Sequence, residues 1–362
     1  MVKIKKVANQ ITKTLTKDTK KKKTGKPKTE NILSSGSTLL NLACTNNPFG
    51  AFTKGKYTFL VGDSTSGKTF LSMTCFAEAV NNPSFKDYRL IYDNVEDGMM
   101  MDLEKLFGKK VADKVEPPGV EASFSIEEFY YHLDDAVRKN KPFIYVLDSM
   151  DSLSSVAEVE KFEEHKTAHK KGTKAPGSYG DGKAKKNSEG LRKILKGLRE
   201  TGSILIIICQ TRDNLGFGFE KKSRAGGHAL RFYATIEIWS SLLGAIKKTI
   251  RGKNRQIGVD VSLKIKKNRV TGELNQVKMS IYPTYGIDDI GSMIDYLVEE
   301  KHWSKNGTKI IAEEISDENM SREKLIQHVE EKGLYRRLQI TTAKCWKEIR
   351  NSYDLGRKGR YE

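Results

Sequence analysis

The sequence predicts an α/β fold: a mostly parallel central sheet flanked by helices, extended by antiparallel strands and followed by a small α-rich C-terminal domain. Three observations predict it. Apolar runs of strand length at residues 56–61, 88–93, 143–148 and 203–210 lack polar alternation, and helical periodicity at 69–80, 126–139 and 188–200 separates them. Strands apolar on both faces belong in a parallel sheet covered on both sides, because each parallel crossover lays a helix on a face. Beyond Ala234, residues 236–238, 259–265 and 277–282 read as strands with no helix between them, as hairpins that widen the sheet. The last seventy residues change character, with helices expected at 293–300 and 322–332 around a turn at Lys305-Asn306-Gly307. The division that follows is a basic tail over 1–30, a core over 31–290 and a C-terminal domain over 291–362.

Composition narrows the class. The chain has 362 residues, 37% apolar, and a net charge of +18 from 64 Lys and Arg against 46 Asp and Glu. No apolar run approaches the ~18 residues that cross a bilayer, and the N-terminus lacks the apolar stretch of a secretory signal. Cysteines 44, 75, 209 and 345 are widely spaced, without metal-ligand or disulfide patterning. A reducing cytoplasm and no membrane contact are the expectation. The positive charge favours a polyanionic partner, since clustered cations bind phosphate chains by releasing their counterions. It is also clustered. Residues 1–30 carry eleven Lys against Asp18 and Glu30, a net +9, with no core-forming periodicity, so the tail is expected to be disordered. Residues 161–187 carry eight Lys and a net +5 around a Gly-rich middle, which reads as a long mobile loop. Residues 247–269 add nine basic residues against Asp260.

Gly62-Asp63-Ser64-Thr65-Ser66-Gly67-Lys68-Thr69 matches G-x-x-x-x-G-K-[ST] between an expected strand and an expected helix. Glycines there let backbone N–H groups curl round phosphate oxygens, the helix start adds its positive dipole end, Lys68 reaches the terminal phosphates, and Thr69 offers a hydroxyl to Mg2+. ATP with Mg2+ is the expected ligand pair. Asp148 closes a buried strand and is the candidate for the Mg2+ side of the site, through water. Glu96 is the candidate to activate water, with Asp93 and Asp97 as rivals one slip away. Gln210, at the end of the remaining apolar strand, is placed to sense the γ-phosphate and report it to the following loop.

These motifs, in this order, resemble the RecA family of ATP-dependent strand-exchange recombinases over roughly residues 31–295. Ser35-Gly36-Ser37-Thr38-Leu39-Leu40-Asn41-Leu42-Ala43 is similar to the family motif that precedes the phosphate loop. Residues 205–212 resemble the strand that ends in the switch glutamine. Gly226-Gly227-His228-Ala229-Leu230-Arg231-Phe232-Tyr233-Ala234 is similar to the stretch that closes the second DNA-binding loop. Lys267-Asn268-Arg269 resembles an element that reaches ATP across a subunit interface.

The resemblance implies a P-loop NTPase fold of RecA type and a helical filament on single-stranded DNA. It implies ATP sites between protomers, with Lys267 and Arg269 acting on a neighbour's phosphates. It puts the first DNA loop at 161–187, with Lys170, Lys171, Lys185 and Lys186 as contacts. The second falls at 212–224, with Arg212, Lys221, Lys222 and Arg224 facing phosphates, Phe217 and Phe219 stacking on bases, and Gly226 and Gly227 closing the loop. The expected function is a DNA-dependent ATPase that pairs single strands with homologous duplex DNA and exchanges them. The alternatives are a hexameric helicase on the same core, or an ATP-gated coating protein with weak hydrolysis. Three departures point to a divergent, phage-type member acting in a host cytoplasm. The first loop is long and Lys-rich. The residues after Glu96 lack the Asp and Tyr that the family sets around adenine. The tail offers only Ile4, Val7, Ile11 and Leu15 for a polymerisation helix.

Overall fold

The computed structural model describes residues 29–97, 101–173, 182–213, 222–224, 227–353 and 356–357. The basic tail, including Ile4, Val7, Ile11 and Leu15, lies outside the described residues. The chain opens with β1 (Ile32–Leu33), α1 (Thr38–Thr45) and β2 (Phe52–Thr53), then alternates: β3 (Lys56–Gly62), α2 (Lys68–Asn81), β4 (Arg89–Asn94), α3 (Leu103–Phe107), α4 (Lys109–Ala112), β5 (Val115–Glu116), α5 (Ile126–Arg138) and β6 (Phe143–Asp148). There follow α6 (Val156–Lys170), α7 (Lys183–Thr201), β7 (Ile204–Asp213), β8 (Lys222–Arg224) and α8 (Gly227–Tyr233). Four antiparallel strands widen the sheet: β9 (Ile236–Ile250), β10 (Lys253–Asn268), β11 (Gln276–Tyr282) and β12 (Gly286–Asp288). The C-terminal part holds α9 (Asp289–Glu299), the hairpin β13 (Ser304–Asn306) and β14 (Lys309–Ile311), α10 (Arg322–Glu331) and α11 (Tyr335–Asn351).

The main sheet runs β12-β11-β10-β9-β3-β7-β6-β4-β5, with β8 beside β7. From β9 to β5 every pairing is parallel, and from β9 to β12 every pairing is antiparallel. This is the expected parallel sheet extended by hairpins. Successive side chains in a strand point to opposite faces, and the two buried clusters divide accordingly. Ile144, Val146, Ile204, Ile206 and Ile208 join α1 and α2 on one face. Phe143, Tyr145, Leu147, Leu205 and Ile207 join α5 and α7 on the other. With both faces covered, no polar alternation was available for the strands to show. A third cluster, including Met293, Trp303, Leu325, Leu338 and Cys345, lies among α9 to α11. Trp346 instead packs in the first cluster, and its Nε1 donates to Asn46 at 3.0 Å.

Two expectations need correction. The segment 161–187 is not one loop: α6 runs to Lys170 and α7 starts at Lys183. Ser155 and Glu158 form a capping box at the start of α6, and residues 156–170 contain neither Gly nor Pro. Good helix formers behind a strong cap need no buried face, and α6 buries no residue. The hairpin strands β9 and β10 are also much longer than expected, at 15 and 16 residues. Their outer halves are exposed, with Leu242, Leu243 and Ile250 open to solvent among Lys and Thr, so burial marks only the inner halves.

Candidate nucleotide-binding site

Parallel strands end at one edge of the sheet, and ligands of such sheets bind beyond that edge. Gly62 ends β3 beside Gln210 of β7, and Asp148 ends β6 beside Asn94 of β4. Gly62-to-Thr69 therefore turns at the centre of that edge and enters α2. Gly67 caps α2 at φ 81°, and a Cβ on it would lie 2.1 Å from Ile281 Cδ1. A Cβ on Gly62 would lie 2.4 Å from the Ser240 carbonyl oxygen. Gly62 is required by that backbone crowding, and Gly67 by its left-handed φ. Lys68 folds back over the loop, its Nζ donating to the carbonyls of Gly62 at 3.0 Å and Asp63 at 2.6 Å. Burial pushes the Lys68 ammonium down from its ordinary value, and Asp148, Glu96 and Asp63 oppose that shift.

Thr69 Oγ1 donates to Asp148 Oδ2 at 2.7 Å, and Tyr92 OH donates to the same oxygen at 2.9 Å. Asp148 is 5% exposed, and burial raises its carboxyl above the usual range while these two donors hold it back. Glu96 Oε1 accepts from Ser149 Oγ, from Ser152 Oγ at 3.3 Å and from Gln210 Nε2 at 3.0 Å. The Gln210 backbone N–H donates to Asp151, and the next residue, Thr211, donates its hydroxyl to Asp63 in the phosphate loop. Gln210 thus touches Glu96 while its strand is tied to the loop. Residues 64–69, Glu96, Asp148 and Gln210 line one cavity of about 570 Å3. Gln256, Ile257, Gly258, Val259, Ile281 and Pro283, from β10 and the β11 end, form its opposite wall.

The rivals of Glu96 are elsewhere. Asp93 is fully buried and accepts from Ser123 N at 2.8 Å, Ser123 Oγ at 2.6 Å and Tyr145 OH at 2.7 Å. Asp97 is not among the cavity's lining residues. The donor set fits a hard cation beside phosphates. Thr69 and Asp148 supply adjacent oxygens, and no cluster of three or more His, Cys, Asp or Glu among the described residues suits a protein-caged metal. Mg2+ keeps much of its water and takes one or two protein oxygens plus substrate phosphates.

A family description, the RecA N-terminal domain, matches residues 2–288. The chain belongs to the RecA family. Protein RecA of Cytophaga hutchinsonii is 29% identical over 283 residues, covering 74% of this chain and 68% of that one. Protein RecA of Laribacter hongkongensis is 28% identical, covering 76% and 71%. DNA repair protein recA homolog 3, mitochondrial, of Arabidopsis thaliana is 27% identical, covering 78% and 60%.

Other candidate residues of this RecA-family chain lie apart from its cavity. Lys267 Nζ donates to the carbonyls of Arg231 at 2.6 Å and Phe232 at 2.8 Å, and Arg269 donates to that of Phe232 at 3.0 Å. They cap the C-terminal end of α8, where cations suit the helix dipole. Burial and the nearby Arg269 lower the Lys267 ammonium to about 8. Neither side chain lines the cavity of its own chain. Lys170 ends α6, Lys171 caps it, and Lys185 and Lys186 lie in the first turn of α7. Lys186 pairs with Glu127 at 3.3 Å. Arg212 lies in β7 and Lys222 and Arg224 in β8, paired antiparallel, and Gly227 opens α8. Phe217, Phe219, Lys221 and Gly226 lie outside the described residues.

Tyr92, Ser149 and Asp151 are partners of the site that no motif marks. Tyr92 had a signal in principle. It sits two residues before Asn94, which pairs with Asp148, so alternation sets it on the Asp148 side of the sheet once the register is known. The register is not readable from one apolar run.

Proposed function

We propose that this chain is an ATP-dependent DNA recombinase, forming a helical filament on single-stranded DNA and promoting pairing and strand exchange with homologous duplex DNA. RecA-family membership supports a role in recombination and repair. The observation that carries the finer reading is the single cavity that joins the phosphate loop, the Thr69–Asp148 pair, Glu96 and Gln210. Residues 31–290 would form the ATPase core, with 291–362 as a C-terminal domain around its own apolar cluster.

In this reading the loop N–H groups and the α2 start hold the phosphates, and Lys68 exchanges two carbonyls for phosphate oxygens. Thr69 and Asp148 would hold Mg2+, which when bound would offset negative charge on the phosphates. Glu96, fixed by Ser149 and Ser152, orients a water and takes its proton as the water oxygen bonds to the γ-phosphorus and the bond to the ADP oxygen breaks. Gln210 Nε2 loses its Glu96 partner when it turns to a γ-phosphate, and β7 carries that change into β8 and the second DNA loop. Ile257, Ile281 and Pro283 offer an apolar wall for a base, in place of the missing Asp and Tyr. Lys267 and Arg269 face away from their own cavity, as residues serving a second copy would.

Negative-stain micrographs of the chain with ATP and single-stranded DNA test the assembly. Helical filaments that require both ligands are expected. Closed six-membered rings, or no assembly, would overturn the reading.

A further inference from the structure

Gly62 and Gln210 are the last parallel partners of β3 and β7, and the residues that follow them, Asp63 and Thr211, are joined side chain to side chain. Thr211 Oγ1 donates to the Asp63 carboxylate. Each residue also makes a second connection. The Asp63 carbonyl accepts from Lys68 Nζ at 2.6 Å, from Ser66 Oγ at 2.7 Å and from Ser66 N at 3.2 Å, so its peptide unit organises the turn of the phosphate loop. Thr211 pairs antiparallel with Arg224 and so stands at the base of the β7–β8 hairpin. One side-chain hydrogen bond therefore joins the phosphate loop to that hairpin. Gln210 takes no part in it, since its amide goes to Glu96 and its backbone N–H to Asp151. The phosphate-loop motif leaves position 63 open to any residue. A carboxylate there opposes the anion that the loop holds, and the Thr211 hydroxyl draws it against β7.

We infer that Asp63 and Thr211 are positioning residues that couple the phosphate loop to the β7–β8 hairpin, by a route that neither passes through Gln210 nor needs a γ-phosphate. Lys68 holds the Asp63 carbonyl and would leave it for a β-phosphate oxygen, so nucleotide acts on the same residue whose carboxylate Thr211 holds. Thr is stiff at χ1, so its hydroxyl follows the backbone of β7. An O–H···O bond spans about 2.5–3.0 Å, and a shift of about 1 Å at either end breaks it. A diphosphate engages Lys68 as a triphosphate does, whereas Gln210 answers to the γ-phosphate alone. The inference rests on the reading that single-stranded DNA contacts the β7–β8 region, and deepens it with a second means of regulation.

The test measures the dissociation constant of a fluorescent ADP, in the presence of Mg2+, for the full chain with and without a saturating single-stranded oligothymidine. The ratio of the two constants divides out any change in the affinity of the loop itself. In the unaltered chain it should depart from one by at least ~5-fold, the lower end of allosteric couplings. Thr211→Val keeps the shape of the side chain, removes the donor and should bring the ratio to within about 2-fold of one, the scatter of uncoupled sites. Thr211→Ser returns the donor and should return the ratio. Asp63→Ala combined with Thr211→Val should lose no more coupling than Thr211→Val alone, as two halves of one contact do. By reciprocity, ADP should change the affinity for the oligonucleotide by the same factor. A Thr211→Val ratio equal to that of the unaltered chain, or a Ser variant that behaves as Val does, overturns the inference. An ADP ratio of one in the unaltered chain overturns it too, while the proposed function stands if a non-hydrolysable ATP analogue still responds to the oligonucleotide. If neither nucleotide responds, both fail.

Discussion

Replacing Tyr92 by Phe removes one oxygen from the site and leaves every carbon of the side chain in place. Tyr92 OH donates at 2.9 Å to Asp148 Oδ2, in a group only 5% exposed. Burial and the neighbouring Asp148 push the Tyr92 hydroxyl far above its ordinary value, so it stays a donor across any assay range. A hydrogen bond to an ionised group contributes about 1.5–3 kcal/mol. The bond is stronger to the ionised carboxylate than to the neutral carboxyl, so its loss should move Asp148 upward. Burial already holds the Asp148 carboxyl high, and the substitution acts in the same direction. In the proposed reading the ionised form is the one that would hold Mg2+. The acidic limb of kcat/KM for ATP, measured with saturating single-stranded DNA, should therefore shift to higher pH in Tyr92→Phe, while the plateau above the limb is nearly retained. An acidic limb at the same pH as the unaltered chain would refute the assignment of Asp148.

Three further outcomes are expected. Glu96→Gln should slow ATP turnover at least ~100-fold while ATP-dependent filaments persist, since general base catalysis contributes that much; unchanged turnover rejects Glu96 as the base. Mixing Lys68→Ala with Lys267→Ala chains should restore about a quarter of normal turnover if each site is shared head to tail, because a random mixture rebuilds that share of interfaces; no recovery contradicts action across an interface. Asp289 is buried, and burial raises its carboxyl from 3.8 to about 6, against donors from Thr38 and Tyr335. The folded chain then holds a proton that the unfolded chain releases, so this group's contribution is full below about pH 4, declines by roughly 2–3 kcal/mol through pH 6 and is flat above. Urea unfolding at pH 4 and pH 7 should show that difference shrink in Asp289→Asn, and identical pH dependence in the two chains would exclude it.

The parallel half of the fold was legible because burial on two faces leaves a simple mark. Strand β6 falls at 143–148 as the apolar run indicates, and the phosphate loop stands between β3 and α2 as its motif requires. Where burial is absent the sequence is silent about structure. Helix α6 buries nothing, so no period betrays it, and only Ser155 and Glu158 announce its start. The outer hairpin is exposed on both faces and mixes Leu242, Leu243 and Ile250 with Lys and Arg, so no one-sided alternation marks its length, and its basic residues merge with Lys267 and Arg269 into one stretch. Within the site, the choice among Asp93, Glu96 and Asp97 depended on which carboxylate faces the edge of the sheet. Asp93 points to the opposite side, into Ser123 and Tyr145, a fact of register that spacing alone does not contain.

The DNA-dependent ATPase reading stands or falls on steady-state ATP hydrolysis by the purified chain, with and without single-stranded DNA. Mg2+-dependent turnover should rise at least ~10-fold with single-stranded DNA, as electrostatic and positional completion of a site allows, and should vanish in Lys68→Ala. Turnover that ignores DNA, or that survives in Lys68→Ala, would contradict it.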